Sequence, residues 1–352
     1  MIEKNTLLKM AVDQKASDIF ITVGVPPTFK IDGVLVSLDH PALTPEDTEK
    51  FVTALFKKNE HYEEFQVKGD KDFSISQKGV GRFRVSVYNQ RGSMAAVLRV
   101  LSFEQDYYKN FRIPQSILEI NKKTKGLIIV TGPTGSGKST TLSAIISLIN
   151  QNRSCHIITL EDPIEYLHKH DKSIVEQREI GIDSRSYAQA LRAALRQAPD
   201  VILIGEMRDY ETISIALTAA ETGHLVLSTL HTVGASKTID RIVDVFPPPQ
   251  QQQVRVQLST VLQSIISQQL IPSKEFGRVP AFEVMLATPA IRNMIRDGKV
   301  PQIEAAIQTG RAEGMISMDI SLAELYKQGE ITKADAMLYC VNQDMLLRYI
   351  EA

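Results

Sequence analysis

Residues Gly132, Pro133, Thr134, Gly135, Ser136, Gly137, Lys138, Ser139 and Thr140 make a glycine-rich turn that closes on a lysine and two hydroxyls. Glycines let successive backbone N–H groups converge on phosphate oxygens, while the lysine reaches the β- and γ-phosphates and the Ser139 hydroxyl serves as a Mg2+ ligand. The apolar run Leu127-Ile-Ile-Val-Thr131 before the turn and the helical spacing after it supply the strand and helix that such a cradle needs. This spacing is the P-loop pattern, and its chemistry is the binding of a nucleoside triphosphate with Mg2+.

Phosphate binding alone does not specify hydrolysis. Acidic residues decide it, and Glu206 follows the apolar run Val201-Ile-Leu-Ile204 in Gly205-Glu-Met-Arg-Asp209. That is the carboxyl end of a strand, where ligands of open α/β sheets bind, so Glu206 is a candidate to polarise the attacking water. An aspartate is common one residue earlier; Gly205 stands there instead, which leaves Mg2+ to Ser139, phosphates, water and any further carboxylate. Glu161, in Leu160-Glu-Asp-Pro-Ile-Glu165, ends a second apolar strand and is the better candidate for orienting water, with Asp162 and Glu165 read as structural. His224 and His231 are seven residues apart across Leu225-Val-Leu-Ser-Thr-Leu230, so they emerge at opposite ends of a strand and do not form a metal pair. His231 falls at the ligand end.

Several elements must position these groups. The short continuous apolar runs Ile157-Ile-Thr-Leu160, Val201-Ile-Leu-Ile204 and Leu225-Val-Leu-Ser-Thr229 alternate with amphipathic helices, which predicts a mainly parallel sheet covered by helices. From about Pro247 the chain reads as mainly helical, including Gln250 to Ser267 and Pro289 to Arg296. Residues 1–118 read as a separate mixed α/β domain. It holds a strand near Asp18, a hairpin about Asp32-Gly33 and a helix capped by Thr44 with Pro45 in its first turn. Its strand Gly81-Arg-Phe-Arg-Val-Ser-Val-Tyr88 places Phe83, Val85 and Val87 on one face and Arg82, Arg84 and Ser86 on the other. Residues 119–125 turn polar and read as a linker, so the expected domains are 1–118 and 126–352.

With 352 residues, two domains are the expectation; 43% hydrophobic and 23% charged residues exclude a chain disordered throughout. Forty basic against forty-one acidic residues give a net charge of -1, which argues against a dedicated nucleic-acid binder. Cys155 and Cys340 cannot build a four-thiolate zinc site and read as two reduced thiols. Neither a signal-peptide core nor a run long enough to span a bilayer is visible, so the expectation is a cytoplasmic protein.

Gly132 to Thr140, Ile158 to Glu165, Gly205 to Asp209 and Thr222 to Thr232 resemble, in order, the Walker A, Asp box, Walker B and His box of the type II and type IV secretion ATPases. Within that superfamily, Leu217 to His224, Lys237 to Phe246 and the run Ala290, Ile291, Arg292, Asn293, Met294, Ile295, Arg296 are similar to the pilus-retraction, or twitching-motility, branch. The retraction signature of that branch has Leu where this chain has Met294 and Glu where it has Asp297; both changes conserve character. The resemblance implies a PAS-like N-terminal domain, a RecA-like ATPase domain and a homohexamer hydrolysing ATP with Mg2+. It also implies work on the pilus machinery through an inner-membrane platform protein, at the inner face of the cytoplasmic membrane. Arg82, Arg84 and Arg99 become candidate arginine fingers by the same resemblance, and His231 a γ-phosphate sensor. Pilus-assembly and type II secretion relatives usually carry an N-terminal extension and a four-cysteine zinc motif, so retraction is the expected direction and assembly or secretion the alternative. A small-molecule P-loop kinase or a nucleic-acid translocase is more distant.

Overall fold

The computed structural model describes residues 3–31, 33–56, 59–101, 113–275 and 277–351. The chain divides into two compact units, Met1–Glu104 with Glu165–Leu167, and Gln105–Ile164 with His168–Ala352.

The first unit packs helices α1 (Lys4–Asp13), α2 (Pro45–Leu55) and α3 (Asn59–Lys68) with an antiparallel sheet. Its strands are β1 (Asp18–Ile21), β2 (Thr28–Ile31), β3 (Val34–Ser37), β4 (Asp70–Gln77), β5 (Gly81–Gln90) and β6 (Ser93–Leu101), in the order β3-β2-β1-β6-β5-β4. Thr44 caps α2 in a capping box with Asp47, and Pro45 sits in its first turn, as its residue types predict. The alternation of β5 also holds: Phe83, Val85 and Val87 are fully buried. The hairpin joins β2 to β3, although Asp32 of its expected turn lies outside the described residues.

The second unit begins with a single helical turn, α4 (Gln115–Leu118), and continues as β7 (Gly126–Thr131), α5 (Lys138–Asn152), β8 (His156–Glu161), β9 (Ile174–Glu179), α6 (Tyr187–Ala194), β10 (Val201–Ile204), α7 (Tyr210–Glu221), β11 (Leu225–Leu230) and α8 (Ala235–Asp244). Then come α9 (Pro248–Val261), β12 (Leu262–Pro272), β13 (Arg278–Leu286), α10 (Pro289–Arg296), α11 (Ile303–Thr309), α12 (Met318–Lys327), α13 (Lys333–Tyr339) and α14 (Gln343–Glu351). The sheet runs β13-β12-β7-β11-β10-β8-β9, parallel except for the β12–β13 pair. One face carries α7, α8 and α9 on an apolar core that includes Leu127, Ile202 and Val226; the other carries α5 on Ile128, Val130 and Leu227. The expected α/β class with a RecA-like second unit and a helical C-terminal region is the observed one. Among the described residues no helix is long and apolar enough to cross a membrane.

Two expectations need correction. The helix expected from Gln250 to Ser267 stops at Val261, and residues 262–272 form a strand that is buried on both faces between β7 and β13. Its buried Ser264, Ser267 and Gln268 are tolerated inside because each finds a distant partner; Ser264 Oγ, for example, donates to the Met285 carbonyl at 2.9 Å. The segment 119–125 expected as a linker begins as a 3-10 turn, Glu119–Lys122, with Ile117 and Ile120 buried in the core beneath α5.

Candidate active site

Four neighbouring parallel strands, β7, β11, β10 and β8, end at one edge of the sheet, and each delivers one part of the site. Register pairs Thr131 with Leu230, Ile204 with Ser228, and Ile204 with Leu160. The residues that follow, Gly132, His231, Gly205-Glu206 and Glu161, therefore leave the sheet side by side. With about 4.8 Å between strands, the whole row spans about 15 Å, the scale of a nucleotide triphosphate and its attacking water.

The loop after β7 must open on glycine. A Cβ at Gly132 would lie 2.2 Å from the Gln268 carbonyl oxygen and 2.8 Å from Ser136 Oγ. Lys138, buried at the start of α5, donates from Nζ to the carbonyls of Gly132 at 2.9 Å and Pro133 at 3.0 Å, so its ammonium is held inside the loop. Ser136 Oγ is buried with no hydrogen-bond partner among the described residues. A buried hydroxyl left so costs about 1–3 kcal/mol, and an anionic oxygen in the loop would satisfy it. Ser139 is exposed in the first turn of α5, the hard oxygen donor that a nucleotide-borne Mg2+ takes alongside phosphate and water. The residues present thus fit Mg2+ together with a triphosphate.

Glu206 is the centre of a polar cluster. Its carboxylate is 18% exposed, pairs with Arg208 Nε at 2.6 Å and lies 3.3 Å from His231 Nε2. Glu161 Oε1 accepts from Thr159 Oγ1 at 2.6 Å and Gln177 Nε2 at 3.0 Å, which fixes the second carboxylate against its own strand and β9. Asp209 caps α7 by accepting from Thr212 N at 2.8 Å, so the aspartate of that segment is structural. His224 sits at the other end of β11, its Nδ1 3.0 Å from the Ala219 carbonyl, away from His231.

Two residues of the site were not visible in the sequence. Tyr187, the first residue of α6, lies among Glu206, Asp162 and Glu161; burial, then those three negative charges, push its phenol up. Gln268 on β12 accepts from Thr141 Oγ1 at 2.6 Å and so ties the P-loop helix to the sheet. Neither stands in a motif, and Gln268 lies next to the segment misread as helix.

Comparison with known proteins gives the family. Residues 1–328 match the family described as type II/IV secretion system protein. The chain belongs to that family. It is similar to the Pseudomonas aeruginosa type IV pilus retraction ATPase PilT, 45% identical over 332 residues that cover 94% of this chain and 96% of that one. It is 43% identical to a twitching motility protein of Neisseria gonorrhoeae, covering 97% and 91% of the two chains. A crystal structure of the pilus retraction motor PilT with bound ADP superposes at a TM-score of 0.91, with 50% identity and coverage of 99% and 100%. The resemblance read from the motifs therefore stands, and the ATPase chemistry of a type II/IV secretion family member stands with it.

Residues 290–296, expected from the sequence to be a retraction motif, lie on α10. Ile291 and Ile295 are fully buried and Met294 packs partly against the same core, whereas Ala290, Asn293 and Arg296 are exposed. Arg292 turns inward: Nη1 donates to the carbonyls of Ser259 at 2.6 Å and Thr260 at 2.7 Å, and Nε to Ala287 at 3.0 Å. It staples α10 to the carboxyl-terminal carbonyls of α9, where a cation also meets the negative end of the helix dipole. The three candidate finger arginines belong to the first unit. Arg84 and Arg99 are cross-strand partners. Arg84 Nη2 pairs with Asp72 at 3.8 Å, Arg99 Nε with Asp18 at 3.0 Å, and Arg82 Nη1 donates to Ser76 Oγ at 3.1 Å.

Proposed function

We propose that this chain is a hexameric motor ATPase that couples Mg-ATP hydrolysis to disassembly and retraction of a type IV pilus. One observation carries the proposal: the P-loop, His231, Glu206 and Glu161 share one sheet edge in a chain matched nearly end to end by retraction ATPases. In this reading the loop amides and Lys138 hold the triphosphate. Glu206 takes the proton of the attacking water, His231 is the γ-phosphate contact, and Glu161 keeps the water in line. Mg2+ held on Ser139 would neutralise charge on the phosphate oxygens. Arg82, Arg84 or Arg99 would supply the finger that stabilises the transferring phosphoryl group. Loss of the γ-phosphate contact would release a two-state change in each subunit, and six subunits working on a membrane platform protein at the cytoplasmic face would turn it into pulling.

The test is Glu206→Gln in the source cell, with surface pili counted by electron microscopy beside the parent strain. An excess of pili that do not retract supports a retraction motor. Bald cells would mean that the same ATPase builds pili, the assembly or secretion alternative.

A further inference from the structure

β12 and β13 hold more of the nucleotide site than Gln268 alone. Thr131, Ser267 and Glu283 pair in register across β7, β12 and β13, so they form one rung of the sheet at its ligand edge, with side chains on one face. Above that rung passes the turn from His231 to Ala235, which leads from β11 into α8. The N-cap of that helix is Gly234, which has no side chain to cap the first amides.

The rung supplies what the turn lacks. Gly234 N donates to Ser267 Oγ at 2.9 Å, and Ala235 N donates to Glu283 Oε1 at 2.8 Å. Thr131 Oγ1 donates to the Thr232 carbonyl at 2.5 Å and lies 2.8 Å from Thr232 Oγ1. Thr238 closes the first turn of α8 by donating to the Gly234 carbonyl at 2.7 Å. The residue just before this anchored stretch is His231, 3.3 Å from Glu206. Gln268, the next residue along β12, faces the opposite side of the sheet and holds the P-loop helix through Thr141. Consecutive residues of one strand thus support the two halves of the site, the phosphate cradle on one face and the His231 turn on the other.

We infer that Glu283, with Ser267 beside it, is a positioning residue for ATP hydrolysis: a buried carboxylate that caps α8 from the sheet and thereby fixes His231 against Glu206. Glu283 is 7% exposed and makes no ion pair among the described residues, an uncommon place for a carboxylate. Burial, with the negative charges of Glu304 and Asp319 from α11 and α12, pushes its carboxyl up to about 7, while the Ala235 amide favours the charged form. A leucine or methionine would fill the space at lower cost if packing were the sole task. The inference rests on the ATPase role of His231 given above.

The experiment compares purified full-length wild type with His231→Ala, Glu283→Ala, Glu283→Gln, Ser267→Ala and Gln268→Ala. It measures kcat for ATP, direct affinity for a fluorescent ATP analogue, and the melting temperature. A released turn misplaces His231 by a fraction of its contact distance. The expected result for Glu283→Ala is therefore a kcat lower by about 10- to 100-fold with analogue affinity within about 3-fold of wild type. Glu283→Gln keeps an acceptor for Ala235 N and should retain kcat within about 3-fold, a rescue that a requirement for bulk alone would not predict. Gln268→Ala should show the converse, weaker analogue binding by about 10-fold.

If Glu283→Ala does not fold, Ser267→Ala decides: a kcat loss of about 3- to 10-fold at unchanged affinity supports the inference. A folded Glu283→Ala or Ser267→Ala protein with wild-type kcat, or with kcat and affinity reduced alike, overturns it. Should wild type hydrolyse ATP and His231→Ala not, that reversal would leave the ATPase role of His231 intact. An active His231→Ala enzyme would instead refute the role on which the inference stands.

Discussion

Gly205 occupies the position where an aspartate commonly ends the corresponding strand, and the structure gives a steric cause. A Cβ added there would lie 2.8 Å from the Tyr187 hydroxyl and 3.2 Å from the Leu160 carbonyl oxygen. Real Cβ contacts are rarely so short, and an added methyl in a packed site costs about 1–3 kcal/mol. For a unit of this size that corresponds to a melting temperature lower by about 4–8 °C at the middle of the range. Because the phenol oxygen is the nearer obstacle, Tyr187→Phe in the Gly205→Ala background should recover about half of the loss. That amounts to a coupling of about 1 kcal/mol between the two sites. The assay is a double-mutant cycle on the full chain, read by thermal melting and by ATP turnover, since residue 205 also carries the backbone that places Glu206. A Gly205→Ala protein that melts with wild type, or a double mutant no better than the single one, would refute the steric account.

Arg292→Ala removes bonds to three carbonyls and should cost about 2–3 kcal/mol, whereas Asn293→Ala and Arg296→Ala, on the exposed face of α10, should stay within about 0.5 kcal/mol; chemical denaturation of the three variants separates them. Arg292→Lys should rescue little, because an ammonium cannot span those acceptors. His168, packed on Ser143 and Ser147 of α5, is pushed down to about 4 by burial. The unfolded chain takes up that proton near pH 6.5 and the folded chain only near pH 4, so this residue makes stability fall as pH falls through that window. Replacing it with Gln should flatten the dependence of melting temperature on pH between 6.5 and 4; an unchanged slope would contradict the assignment.

The candidate site is readable in sequence where local chemistry dictates it. A P-loop requires its strand, glycines, lysine and hydroxyl in sequence order, and carboxylates at the ends of apolar strands announce themselves. Thus Lys138, Ser139, Glu161, Glu206 and His231 stand out as candidates from the sequence, and the structure brings Glu206 and His231 within 3.3 Å of each other. β12 was not legible, for two reasons. No glycine or proline occurs from Gln251 to Ile271, so helix passes into strand without punctuation. The buried Ser264, Ser267 and Gln268 also look like a polar helix face until their partners at Met285, Gly234 and Thr141 are known. Such partners are distant in sequence, and no periodicity encodes them. Tyr187 and Glu283 escaped for the same reason, since each matters through what the topology sets beside it.

Glu206 acts in hydrolysis and not in binding under the mechanism proposed above. Its most direct test is ATP turnover and nucleotide affinity of purified Glu206→Gln beside wild type. Turnover should fall by about 100-fold or more with affinity changed by no more than about 3-fold. A Glu206→Gln enzyme that hydrolyses ATP at the wild-type rate would contradict it.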